Sequence, residues 1–142
     1  ASCAKGMHKS GFVEVYCMGF WIFMLIMVLL LPVSMIAFGR LFLNSAPHNI
    51  NSTFGYRTKR SMMNKETWKF AHAYIGKLWF ICGLILLLPS VAVMFFVLGK
   101  DANTVGTVGA ILVFVQMIPM IGTIIPTEKA LKKNFDEYGR HR

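Results

Sequence analysis

The chain has 142 residues, 56% of them hydrophobic, and a formal net charge of +9 at pH 7. The length sets one domain as the expectation, and the apolar share exceeds that of soluble domains. The apolar residues are gathered in three uncharged blocks, Tyr16 to Phe38, Leu78 to Gly99 and Ala102 to Thr127, which excludes a soluble bundle, whose helices need a polar face.

Each block reaches the roughly 20 residues a helix needs to cross a bilayer core of about 30 Å. The first helix is predicted over about 12–43. Its apolar block is too long for a signal-peptide core and no small-residue cleavage site follows, so no cleaved leader is expected. Pro32, with Ser34 close by, removes a backbone bond and kinks the helix. Tyr16 and Trp21 lie near its first end, where amphipathic rings favour the membrane interface. Arg40 follows the last apolar stretch and can snorkel to the other interface.

Residues 44–64 are rich in Asn, Ser and Thr, with Pro47 and Gly55, which are turn residues. Ile50, Phe54, Tyr56, Met62 and Met63 punctuate the segment. A loose connector does not need that apolar content, so a folded loop packed at the helix ends is expected, with Arg57 partly buried and hydrogen-bonded. Asn64 is a good N-cap for a second helix over about 65–98, and Glu66 in its first turn suits the helix dipole. That helix is roughly 50 Å long, so its first turns should project beyond the bilayer or bend along it near Gly76. Trp68, His72, Ile75 and Trp79 share one helix face, and Pro89 is a second candidate kink. The turn Gly99 to Asn103 forces an antiparallel hairpin into a third helix, about 103–126. There Gly106 and Ala110 form a small-xxx-small pair. Pro126 and Thr127 end it. The tail, 127–142, is expected to carry a short amphipathic helix, Glu128 to Tyr138, with Leu131, Phe135 and Tyr138 on one side, lying on the membrane or against the basic loop.

Of the 15 Lys and Arg residues, twelve fall in the loop between the first two helices, at its helix ends, or in the tail; the other side has Lys5, Lys9 and Lys100. Short basic loops stay in the cytoplasm, so the N-terminus is expected outside and the C-terminus inside. The charge then has membrane lipids as its natural partner, and nucleic acid is not expected.

No Asp, Glu, Lys, Arg or His lies inside the three blocks, and Gln116 is the most polar residue at depth. Ion-coupled transporters place ionisable groups there, which argues against a proton-coupled transporter. Three helices alone enclose no pathway, which leaves a homo-oligomer open. Cys3, Cys17 and Cys82 fit no metal spacing and suggest neither a disulfide nor a metal site. His48 and His72 could meet beside the loop, but no carboxylate pair accompanies them to complete a metal site. No catalytic constellation and no cofactor are expected. A lipid-directed role would draw on Arg57 or Arg60 as a phosphate clamp.

The loop and second helix together read Asn51-x-x-Phe54-Gly55-Tyr56-Arg57-Thr58-x-x-Ser61-Met62-x-Asn64-x-Glu66-x-Trp68-x-x-Ala71-His72, then Gly76-Lys77. This pattern resembles the SdpI family of bacterial membrane proteins. Its members share an Asn-x-x-apolar-Gly-apolar-Arg-Thr core, a Trp about eleven residues after the Arg, and a Gly-Lys pair entering the next helix. The name-giving member is an immunity protein against a secreted, sporulation-delaying toxic peptide, and it also holds a cytoplasmic repressor at the membrane. The resemblance implies an all-α membrane protein of three transmembrane helices, one such domain over 1–142. It implies a non-enzymatic role in the bacterial cell membrane, in toxin resistance, in signal transduction through a transcriptional repressor, or in both. The alternative is a lipid-interacting enzyme or an accessory subunit of a membrane transporter. The motif puts the binding residues at Asn51, Gly55, Tyr56, Arg57, Thr58, Glu66, Trp68, His72 and Lys77. Physically, Gly55 suits a tight turn or close backbone approach, Arg57 can clamp an anion or helix-end carbonyls, and Trp68 and His72 can face it. The same residues could equally serve only to fold the loop.

Overall fold

The computed structural model describes residues 11–45, 47–51, 53 and 55–142. Four helices follow in chain order: α1 (Gly11–Ser45), α2 (Lys65–Phe96), α3 (Ala102–Gly122) and α4 (Ile124–Asn134). Three helical spans, Glu14–Ser45, Lys65–Phe96 and Ala102–Asn134, are long and apolar enough to cross a membrane. Helices are what a bilayer demands, because they satisfy every backbone group within the segment. Large apolar side chains point outward along them: Ile26 and Leu30 on α1, Ile85 and Leu88 on α2, Phe114 and Ile118 on α3. In water this surface would be a liability; in lipid it is the solvent-facing side. The protein is an all-α, multi-pass membrane protein.

The main interface joins α1 to α2, and glycine makes it possible. A Cβ built on Gly39 would lie 2.6 Å from the Phe80 backbone N and 2.7 Å from the Gly76 carbonyl O. One built on Gly76 would meet the Gly39 carbonyl O at 2.9 Å, and one on Gly83 would meet the Pro32 carbonyl O at 2.9 Å. The two backbones thus touch at two levels, and α2 is continuous through Gly76, which acts as a contact point. Gly106, on α3, meets only the Phe20 ring, at 3.5 Å or more. The small-residue pair predicted there is therefore not where helices approach most closely.

Toward the α2–α3 turn, Trp21, Val28, Met94, Val97 and Val105 form one buried cluster. Trp21 is inside it, its indole N–H donating to the Met94 carbonyl at 2.8 Å. Deeper, the Gln116 amide donates to Ser90 Oγ at 2.6 Å, joining α3 to α2. At the opposite end, Ala71, Leu131 and Phe135 form a second cluster, with Tyr56 and Phe70 packed on it.

Two expectations about the chain are corrected. The amphipathic helix begins at Ile124 and ends at Asn134, not at Glu128 and Tyr138. Pro126 does not break it, since a proline in a first turn lacks an N–H that would be unbonded anyway. Tyr138 lies beyond the helix and is exposed. Cys17 is disulfide-bonded, against the expectation of no disulfide; Cys82 is free, and Cys3 lies outside the described residues, as do Lys5, Lys9 and Phe54.

Candidate functional site

The motif loop is built upward from the start of α2. Asn64 caps the helix: its side chain accepts from the Thr67 N–H at 2.9 Å, and Thr67 Oγ1 accepts from the Asn64 N–H at 3.0 Å. This reciprocal box satisfies two backbone donors that a helix start leaves orphaned. Thr67 also donates toward the Ser61 carbonyl at 3.1 Å. Ser61 in turn accepts from the Thr58 N–H at 2.8 Å, and its own N–H donates to Thr58 Oγ1 at 3.2 Å. The polar residues between Thr58 and Thr67 therefore lock one another.

His72 anchors the other half of the loop. It is fully buried, one helical turn past Trp68. Its Nε2 accepts the Tyr56 backbone N–H at 3.0 Å, so that nitrogen carries no proton. Nδ1 then bears the hydrogen and donates to the Trp68 carbonyl at 2.8 Å. The Trp68 indole N–H donates to the Pro47 carbonyl at 2.8 Å, tying down the loop's beginning. Phe42 of α1 meets the His72 ring edge-on, with centroids 5.0 Å apart. Gly55 sits directly on this imidazole: its φ is +115°, and a Cβ there would collide with His72 Nε2. Both the backbone conformation and the space require glycine.

The tail completes the arrangement. The Tyr56 hydroxyl donates to Glu128 of α4 at 2.8 Å, and Arg60 Nε lies 3.9 Å from the other Glu128 oxygen. Burial, then the hydrogen bond to Glu128, push the Tyr56 phenol far above its ordinary pKa. Beyond α4, Phe135 and His141 pair as an isolated bridge around the turn 136–140. The Asn64 side-chain amide donates to the Gly139 carbonyl at 2.6 Å, so the α2 cap and the tail turn hold each other.

Where α1, α2, α4 and the loop meet there is a cavity of about 310 Å³, lined by Phe42, Gly55, Tyr56, Arg57, Thr58, Ile75, Trp79 and Ile124. Trp79 is fixed as a wall by its indole N–H donating to Thr123 Oγ1 at 2.9 Å. Of the residues singled out by sequence, Gly55, Tyr56, Arg57 and Thr58 line this cavity, and Trp68 and His72 support it from beneath. Arg57 is exposed, not partly buried as expected. Asn51 forms a local turn instead, its Oδ1 accepting from the Thr53 N–H at 3.1 Å. Glu66 and Lys77 are exposed on α2 and do not line the cavity. His48 is exposed, and His72 has both ring nitrogens engaged elsewhere. Among the described residues, no group of His, Cys, Asp and Glu is placed to hold a metal. Sequence reasoning missed Glu128, Thr67 and Phe42. The Thr at the third position after Asn64 is a legible capping-box signal; Glu128 and Phe42 arrive from distant segments and carry no local signal.

Residues 48–127 match the SdpI/YfhL protein family. The YfhL protein of Bacillus subtilis (strain 168) is 34% identical over 90 residues, covering 61% of this chain and 68% of the relative. No solved structure matches the chain. The matched segment runs from the motif loop through the first residues of α4, so it contains every wall of the cavity except Phe42; the chain belongs to the SdpI/YfhL family of membrane proteins.

Proposed function

We propose that this chain is a non-enzymatic membrane protein that gives immunity to a secreted toxic peptide, or signals by binding a cytoplasmic transcriptional repressor, with the motif loop facing the cytoplasm and the N-terminus outside. The observation that carries the reading is the state of His72. A general base needs a ring nitrogen within reach of a substrate proton. Here Nε2 holds the Tyr56 N–H and Nδ1 holds the Trp68 carbonyl. The neighbouring hydroxyls of Thr58, Ser61 and Thr67 are engaged with one another and with the backbone in the same way. The motif's polar chemistry supports a rigid platform, and a platform suits recognition. On it Arg57 and Lys59 are exposed, basic groups for an acidic partner segment.

Orientation rests on the same charges, since basic segments are retained in the cytoplasm. The disulfide at Cys17, near the other end of α1, agrees with an oxidising outer side.

The test is expression in a bacterium sensitive to a toxic peptide of the sporulation-delaying type. Survival is scored against membrane level of the protein, in parallel with recruitment of a co-expressed repressor to the membrane fraction. The expected result is protection or recruitment that falls with Arg57→Lys at unchanged abundance, because lysine lacks the planar fork. Survival equal to empty cells, together with no recruitment, overturns the reading.

A further inference from the structure

We propose that the cavity beside Arg57 holds the phosphate-bearing headgroup of an anionic phospholipid drawn from the leaflet on the loop side, with the first part of its acyl region against Trp79 and Ile124.

The cavity has two chemically distinct halves. Phe42, Ile75, Trp79 and Ile124 give an apolar wall, and Arg57 and Thr58 stand on the loop side. Trp79 lies one residue inside the uncharged stretch that begins at Leu78, and Ile124 lies within the other uncharged stretch that ends at Thr127. The cavity thus straddles the level where hydrocarbon gives way to headgroups. A ligand filling it must be apolar on one side and anionic on the other. No Asp or Glu lines the cavity, and the nearby carboxylate of Glu128 is engaged by Tyr56. Arg57 already takes part in an interaction within the chain. A guanidinium has five N–H donors, so a phosphate can join that interaction in the forked geometry arginine favours. A soluble phosphate would satisfy only the Arg57 half; the bilayer supplies both halves at this depth. The inference stands on the cavity alone and does not depend on immunity or repressor binding.

The test uses the purified full chain and native mass spectrometry, with phosphatidylglycerol and phosphatidylcholine of identical acyl chains offered in equal amounts. Wild type is expected to retain phosphatidylglycerol in preference. Arg57→Gln is expected to lower that retention roughly tenfold, the scale of one charge-assisted contact. Ile124→Trp, which fills the mouth from an exposed position, is expected to do the same with helix content and melting temperature unchanged. Lys129→Gln with Lys133→Gln, outside the cavity, is expected to keep the preference. The proposal is overturned if both cavity variants retain phosphatidylglycerol like wild type, or if the lysine pair alone abolishes the preference, which would assign it to the general basic surface. It is also overturned if inorganic phosphate displaces the lipid, which would make the site one for a soluble anion.

Discussion

Gly55 rests on His72: its backbone passes so close to the imidazole that any side chain at Gly55 would overlap Nε2. Gly55→Ala should therefore destabilise by roughly 2–4 kcal/mol, combining a positive φ with overpacking. His72→Phe keeps the ring but strands the buried Tyr56 N–H, for a loss of about 1–3 kcal/mol. Denaturant titration in detergent, followed by tryptophan fluorescence, checks both. Wild-type stability in Gly55→Ala would refute the contact.

The α1–α2 interface gives a sharper contrast. Gly39→Ala drives a methyl into backbone atoms at 2.6 and 2.7 Å, so a loss of about 1–3 kcal/mol or more is expected. Gly122→Ala has nothing within 4 Å of its new methyl and should be neutral or slightly stabilising, as alanine is the better helix former. Steric-trap or thermal unfolding of the two variants side by side measures the difference.

The link between loop and α4 is testable as a coupling. Tyr56→Phe and Glu128→Ala should each cost about 1 kcal/mol, and the double variant clearly less than their sum. Strict additivity in the double-mutant cycle would mean the 2.8 Å bond contributes nothing.

Orientation is settled by fusion. A reporter active only in the cytoplasm should work when joined after Arg142 and fail when joined after Asp101. The opposite pattern reverses the topology and the reading of the charge bias.

Acid should loosen the tail turn late. The Arg140 backbone N–H, with help from the Tyr138 N–H and the Arg140 side chain, holds the Asp136 carboxyl below its ordinary value of 3.8. A carboxyl with a lowered folded pKa contributes stability above its unfolded pKa and loses it as pH falls through the folded one. The turn should hold at neutral pH and open only below the usual carboxylate range. The Arg140 amide, followed by NMR against pH, should shift with a midpoint under 3.8; a midpoint at or above that value contradicts the geometry.

Much of this was legible in the residues, for physical reasons. Three uncharged blocks had to be spanning helices, and helical spacing put Trp68, His72 and Ile75 on one face, which the fold buries. Asn64 announced a cap. What stayed hidden came from contacts between remote segments. Nothing near Gly39 shows that Gly76 lies against it, nor does Glu128 show that Tyr56 is its partner. Arg57 was expected partly buried within the folded loop, yet it is exposed where it lines the cavity. The tail turn had a local signal in Asp136 and Gly139, which suit the first and last places of a turn, but a helix pattern running to Tyr138 obscured it.

The closures at Tyr56–Glu128 and Asn64–Gly139 span 72 and 75 residues of chain. At a synthesis rate of about 5–20 residues per second, the motif loop emerges from the ribosome several seconds before either partner exists. Two further spans must be inserted in that interval. The loop's completion is thus a late event in biogenesis, and it reports that the third helix has arrived.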